Sequence, residues 1–122
     1  METRKRIIHV DNSEFFRKLV RKLLEAQGFE VESYDSAQEA SLAIGSGFID
    51  MVIMGLNFAG IEGGEFFDRI INSYAGPVVV ISSDVNEDKG AQLLAQGAKA
   101  AINKSGPWQQ SLMPHLSELK QS

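Results

Sequence analysis

The sequence predicts an α/β domain: a parallel five-stranded sheet with helices on both faces. Three observations carry that expectation. Short apolar runs recur five times along the chain, and each is followed by a stretch with helical spacing. The chain has 122 residues, the size of one small domain, read here as residues 1–122. Strand and helix alternating in this way give a sheet that must be covered on both sides.

The elements follow in order. Ile7-Ile8-His9-Val10 suits a strand buried on both faces. Ser13 is placed to cap a helix through about Gln27, closed by Gly28. Its apolar residues include Phe15, Phe16, Leu19, Val20, Leu23 and Leu24, which cover about half the circumference. That is wide for a helix packed on one side, so the edge around Phe15 and Leu19 is a candidate partner contact. Phe29 to Tyr34 alternates with period two and reads as an edge strand. Ser36 caps a second helix to about Gly45. Asp50-Met51-Val52-Ile53-Met54 is a buried-type strand, followed by a loop from Leu56 to Gly60.

Phe66, Phe67, Ile70 and Ile71 mark a third helix, and Pro77 to Ile81 is the clearest strand. A fourth helix is expected from about Asn86 to Gln96, although Gly90 costs it about 1 kcal/mol against alanine. Ala100 to Asn103 is the last strand. A fifth helix begins near Pro107, taken as its first helical residue, and Pro114 should kink or restart it.

Composition narrows the function. The chain is 43% hydrophobic and 23% charged, as in ordinary globular domains. It has no cysteine, which excludes disulfides, thiolate metal sites and a cysteine nucleophile. No run approaches the roughly 18 apolar residues of a membrane span, and the charged start does not read as a signal peptide. A cytoplasmic protein is expected. The net charge of −4 is uneven. Residues 1–22 hold seven bases and three acids; the remainder holds five bases and thirteen acids. The basic start reads as a solvated helix face or a docking patch for an acidic partner. Nucleic acid is not an expected partner, because a general nucleic-acid binder would be basic over a whole face.

In parallel α/β sheets, ligands sit beyond the carboxyl ends of the strands. The residues there are Asp11, Asn12, Gly55, Ser82, Ser83 and Lys104. An acid, a hydroxyl and a lysine around one crevice suit phosphate and magnesium chemistry. Here the chain resembles the receiver domain of bacterial two-component response regulators over essentially its whole length. Val10-Asp11-Asn12-Ser13 resembles the family's acidic pair. Asp50 to Gly55, with Gly60-Ile61-Glu62-Gly63, resembles the third strand and the phospho-acceptor loop. Pro77 to Ser83 resembles the fourth strand with its switch hydroxyl, Ser82. Gln96-Gly97-Ala98 through Lys104 resembles the Gly-Ala turn and the family lysine. The resemblance implies a flavodoxin-like (βα)5 three-layer sandwich with strand order 2-1-3-4-5.

The departures from that pattern are specific. Gly55 stands where the family places its phospho-accepting aspartate. Asn12 replaces the second acid of the pair, Ala59 the loop proline, Ala101 the switch aromatic, and Ser105 the proline that follows a cis peptide bond. The Lys104–Ser105 bond is therefore either trans in a rebuilt loop or strained. Three carboxylates would normally converge on one magnesium ion, and Asp11 alone matches. Magnesium binding is expected to be weak or absent, and no cofactor is implied. Lys104 then needs another partner, and Asp11 is predicted to pair with it directly or through a water.

The function implied is a non-enzymatic receiver, not phosphorylatable at the usual position, that acts through protein–protein contact. Its partners would be a histidine kinase, an output domain or another regulator. Candidate partner surfaces are Phe15 and Leu19, and the face of the fourth helix, fifth strand and fifth helix, with Ala101 and Trp108. That face could also form a homodimer. The alternative is a phosphate- or metal-binding receiver that keeps Asp11, Ser82 and Lys104 and uses a different phospho-acceptor. Another is the regulatory piece of a longer regulator, kinase or diguanylate cyclase; the length leaves no output domain within residues 1–122. A flavin carrier shares the architecture, but Asp11 and Glu14 would repel its phosphate.

Three further motifs are set aside. Gly63-Gly64-Glu65-Phe66-Phe67 is similar to a diguanylate cyclase signature but has phenylalanine at its fourth position. Asp11-Asn12-Ser13 lacks the second acid of a dehalogenase-type phosphatase. No general base accompanies Ser82 or Ser83. His9 is read as a core histidine and His115 as a surface one.

Overall fold

The computed structural model describes residues 4–58 and 61–122. Twelve elements are present among them. β1 (Arg6–Val10), α1 (Glu14–Ala26), β2 (Glu30–Tyr34), α2 (Ala37–Gly45) and β3 (Met51–Met54) come first. A small hairpin follows, β4 (Asn57–Phe58) and β5 (Ile61–Glu62), and leads into α3 (Gly63–Ser73). β6 (Val78–Ser82), α4 (Glu87–Ala95), β7 (Ala100–Asn103) and α5 (Trp108–Gln121) complete the chain.

The main sheet is parallel, in the order β2-β1-β3-β6-β7. With the hairpin set aside this is the expected order 2-1-3-4-5. The period of two along each strand divides the core. Ile7, Met51, Ile53, Val79 and Ile81 face Phe16, Val20 and Leu24 of α1 and Trp108, Leu112 and Leu116 of α5. Ile8, Val10, Val52, Met54, Val78 and Val80 face Ala40 of α2, Phe66, Phe67 and Ile70 of α3, and Leu93 of α4. The central strands are buried on both faces, which is why they read as unbroken apolar runs.

Local signals set the helix ends. The side-chain oxygens of Ser13, Ser36 and Asn86 accept from the N–H groups of Phe16, Glu39 and Lys89. Gly28 has φ +93°, the left-handed turn that ends α1 and returns the chain to β2.

Several expectations are corrected. The loop after β3 contains the antiparallel hairpin β4–β5. Two-residue strands are too short to show any alternation in sequence. Pro107 is the N-cap of α5, not its first helical residue, with ψ 64° outside the helical region. The helix does not restart at Pro114. Pro114 lies on the exposed side, while Trp108, Leu112, Leu116 and Leu119 hold the opposite side in the core. A carbonyl freed by proline can be hydrated there. His115 is half-buried, and its Nδ1 is buried without a hydrogen-bond partner.

Candidate functional site

The carboxyl ends of β1, β3, β6 and β7 bring Asp11, Gly55, Ser82 and Lys104 to one end of the sheet. Asp11 is 2% exposed. Its Oδ2 lies 3.0 Å from Lys104 Nζ, which also donates to Oδ1 at 3.2 Å. The Ser13 N–H donates to Oδ1 at 2.8 Å, and Arg17 Nη1 donates to the Asp11 carbonyl. The predicted Lys104–Asp11 contact is thus direct. The carboxylate and backbone of Asp11 are held from three directions.

Gly55 is buried beside this pair, and its N–H donates to the Val10 carbonyl at 2.9 Å. A Cβ at position 55 would lie 3.0 Å from Asp11 Oδ2, 3.6 Å from its Cγ and 3.7 Å from the Ile81 carbonyl oxygen. The Asp11 carboxylate lies against the glycine, where a side chain at 55 would begin.

Ser82 is buried, and its Oγ accepts from the Asp84 N–H at 3.2 Å. Its carbonyl accepts from the N–H of Lys104 at 3.1 Å, which ties the β6 loop to the β7 loop. Asn57 Nδ2 donates to Asp84 Oδ2 at 2.9 Å and so joins the hairpin to the same loop. Asn12 is exposed.

The side chains at this end are few as oxygen donors for a magnesium ion. Both oxygens of the buried Asp11 carboxylate face Lys104, Asn12 has an exposed amide, and Gly55 offers no side chain. Among the described residues no group of three His, Asp or Glu side chains is placed to hold a metal.

No peptide bond among the described residues is cis, so Lys104–Ser105 is trans. Asn103 supports this loop. Its Oδ1 accepts from the Ser105 N–H at 2.7 Å, its carbonyl from the Gly106 N–H at 3.2 Å, and its Nδ2 donates to the Val85 carbonyl at 2.6 Å. Ala59 and Gly60 lie outside the described residues.

Sequence reasoning missed two contributors. One is Arg17, at the Asp11 carbonyl. The other is Phe16, whose ring centroid lies 4.4 Å from Lys104 Nζ, within cation–π range. Phe16 packs edge-on to Trp108, with centroids 5.0 Å apart, and to His9 at 5.9 Å. Trp108 is 7% exposed, so it is a buttress beneath this site and not an exposed partner anchor. His9 is fully buried, and neither ring nitrogen has a hydrogen-bond partner. Burial lowers its pKa to about 4. The Asp11 carboxylate acts in the opposite direction, and Lys104 and Arg17 add to the lowering.

The remaining surface residues separate cleanly. Phe15 is 74% and Leu19 37% exposed on the outer face of α1, with Lys18 and Lys22 beside them at helical spacing. Ala101 is half-buried against α4. A Cβ on Gly90 would lie 3.9 Å from the Ala101 Cβ, so α4 crosses β7 on two small residues.

This combination, a parallel 2-1-3-4-5 sheet with an acid and a lysine meeting beyond its carboxyl ends, defines a receiver-type domain. The response regulator receiver domain family matches residues 7–114, and the chain belongs to that family. It is a receiver domain of two-component signalling, a class of signalling domains. Among curated proteins, none matches the sequence. Solved structures share the fold. A CheY-like receiver domain protein from Methanospirillum hungatei JF-1 is 22% identical, with a TM-score of 0.83 over 98% of this chain and 96% of that one. The receiver domain of an HD domain-containing protein from Pseudomonas fluorescens Pf-5 is 20% identical, with a TM-score of 0.84 over 98% and 96%. The chemotaxis response regulator CheY4 of Vibrio cholerae is 22% identical, with a TM-score of 0.82 over 96% and 99%. Among the described residues no helix is long and apolar enough to cross a membrane.

Proposed function

We propose that this receiver domain takes no phosphoryl group at position 55, binds magnesium weakly or not at all, and signals by protein–protein contact. One observation supports the reading above the others. Asp11 Oδ2 lies 3.0 Å from where a Gly55 Cβ would be, and the same oxygen is paired with Lys104 at 3.0 Å. The lysine that would neutralise a phosphoryl oxygen already holds an internal carboxylate. No acceptor side chain stands at position 55.

Contact would run through two surfaces. One is the outer face of α1, where Phe15 and Leu19 alternate with Lys18 and Lys22. The other is the face of α4, β7 and α5, where Leu94 is exposed and Ala101 replaces a bulkier switch residue. A histidine kinase, an output domain or another regulator are the partner classes this reading implies, acting in the cytoplasm without catalysis by the domain itself.

Incubation with a small-molecule phosphodonor and magnesium, followed by intact mass measurement, tests the reading. The expected result is an unmodified chain. A stoichiometric phosphoryl adduct would overturn it, and peptide mapping would then place the acceptor.

A further inference from the structure

Phe15 and Phe16 are neighbours on α1 with different surroundings: Phe15 is 74% exposed and Phe16 is 5% exposed. The Phe16 ring touches both ends of the segment that leads from β7 into α5. Lys104 Nζ lies over the ring, 4.4 Å from its centroid, and the Trp108 ring meets it in a T-shaped contact at 5.0 Å, with 66° between the planes. His9 meets the same ring from β1 at 5.9 Å and 67°. An aromatic ring attracts a cation over its face and favours a T-shaped partner, so one side chain serves both contacts. Lys104 Nζ is thereby held from two sides, by the Asp11 carboxylate at 3.0 and 3.2 Å and by the ring.

The first turn of α5 lacks the support that other helices of the chain have. α1, α2 and α4 begin with side-chain caps from Ser13, Ser36 and Asn86, whereas Pro107 gives α5 no side-chain cap. Trp108 is the first residue of that helix and is buried. Its packing on Phe16 therefore anchors an uncapped helix start.

We propose that Phe16 and Trp108 form an aromatic relay that couples the Asp11–Lys104 pair to the seating of α5, with α1 as its lever. A protein that seats on Phe15 and tilts α1 draws the Phe16 ring from Lys104 and from Trp108 together, because one ring makes both contacts. The pair then loosens and the start of α5 is released. In the other direction, an intact pair keeps Lys104 over the ring and the ring against Trp108. The route runs on the α1–α5 side of the sheet, away from Ala101, which packs on the α4 side. The trigger rests on the protein-contact reading above. The relay itself is tested without a partner or a phosphodonor, so its failure would leave that reading standing.

Trp108 is the only tryptophan in the chain, so its fluorescence reports the relay. Asp11→Asn keeps the shape of the side chain and removes the charge that holds Lys104. Coupling appears as a response to one change that depends on the other. Asp11→Asn should shift the Trp108 emission maximum in the chain that has Phe16 and leave it unmoved in Phe16→Leu. Lys104→Met should give the same pattern, and it takes the place of Asp11→Asn if that variant does not fold. No shift in either background, or the same shift in both, would overturn the relay.

A second readout follows the hold of the ring on the lysine. Acetylation of Lys104 by acetic anhydride is measured by peptide mass against the exposed Lys18, on chains whose melting midpoints show them folded. It should be about threefold faster in Phe16→Leu than in wild type. Phe16→Tyr keeps the ring and should return the rate to the wild-type value. A wild-type rate in Phe16→Leu, or a rate in Phe16→Tyr as fast as in Phe16→Leu, would show that the ring does not hold Lys104 and would overturn the proposal.

Discussion

The two ends of the sheet use the same kinds of residue in opposite ways. At the carboxyl ends, charged groups turn inward: Lys104 and Arg17 both hold Asp11, and the carboxylate closes over Gly55. At the amino ends, Arg6, Asp50 and Tyr74 hold backbone and leave Phe48 standing in solvent. In a receiver fold the first end is where a ligand would be expected. Here that end is internally satisfied, and the amino end presents an apolar surface. The same strands thus carry a closed polar cluster at one end and an exposed apolar side chain at the other.

The sharpest way to break the comparison is to remove one cation from each end. Lys104→Met leaves the buried Asp11 carboxylate without its ammonium partner. Breaking a buried pair in this way costs about 3 kcal/mol or more. Arg6→Ala removes a pair with Glu32 in which both side chains are one-third exposed. It should cost clearly less, because solvent screens an exposed pair, even with the bond to the Phe48 carbonyl lost as well. Urea denaturation of both variants measures the difference. Equal losses would show that the Asp11–Lys104 pair is not the tighter of the two.

Below Phe16, His9 gives the carboxyl-end cluster a pH signature. Its folded pKa is about 4, against an ordinary value of 6.5. The unfolded chain therefore binds a proton that the folded chain excludes. Stability is lost as pH falls below about 6.5 and the loss levels off below about 4, which amounts to about 2 kcal/mol between pH 7 and pH 5. Urea midpoints at the two pH values should show that loss in wild type. His9→Met should remove most of it. An unchanged slope in the variant would assign the acid sensitivity to other groups.

The legibility of these features follows from their range. The strands were readable because both faces of each central strand are buried, which makes the apolar runs continuous. Helix starts were readable because Ser13, Ser36 and Asn86 act on N–H groups three residues away. The Lys104–Asp11 pair was readable from charge alone: one carboxylate remained at a site that has one lysine. Contacts set by tertiary packing were not readable. Trp108 is buried because Phe16 meets it from a different helix. α5 continues past Pro114 because its buried face is anchored on the opposite side. The knob at Phe48 depends on Arg6 and Tyr74, which lie 42 and 25 residues away along the chain from the carbonyls they hold.

Restoring the missing acids asks whether the carboxyl end can be reopened. Gly55→Asp with Asn12→Asp places two carboxylates beside Asp11, and the new Cβ at position 55 sits 3.0 Å from Asp11 Oδ2. Asp11 must give way by a few tenths of an ångström, and the cations at hand among the described residues are Lys104 and Arg17. The double variant should lose about 1–2 kcal/mol without metal, since three carboxylates then share one site. With magnesium at about 10 mM it should recover part of that loss, because an ion that binds only the folded form raises its stability by mass action. The wild-type melting midpoint should not respond to the same addition. A double variant equally indifferent to magnesium would mean that the Asp11–Lys104 pair, not the absent side chains, keeps the site closed. Adding Lys104→Ala to the double variant would then be the change that opens it.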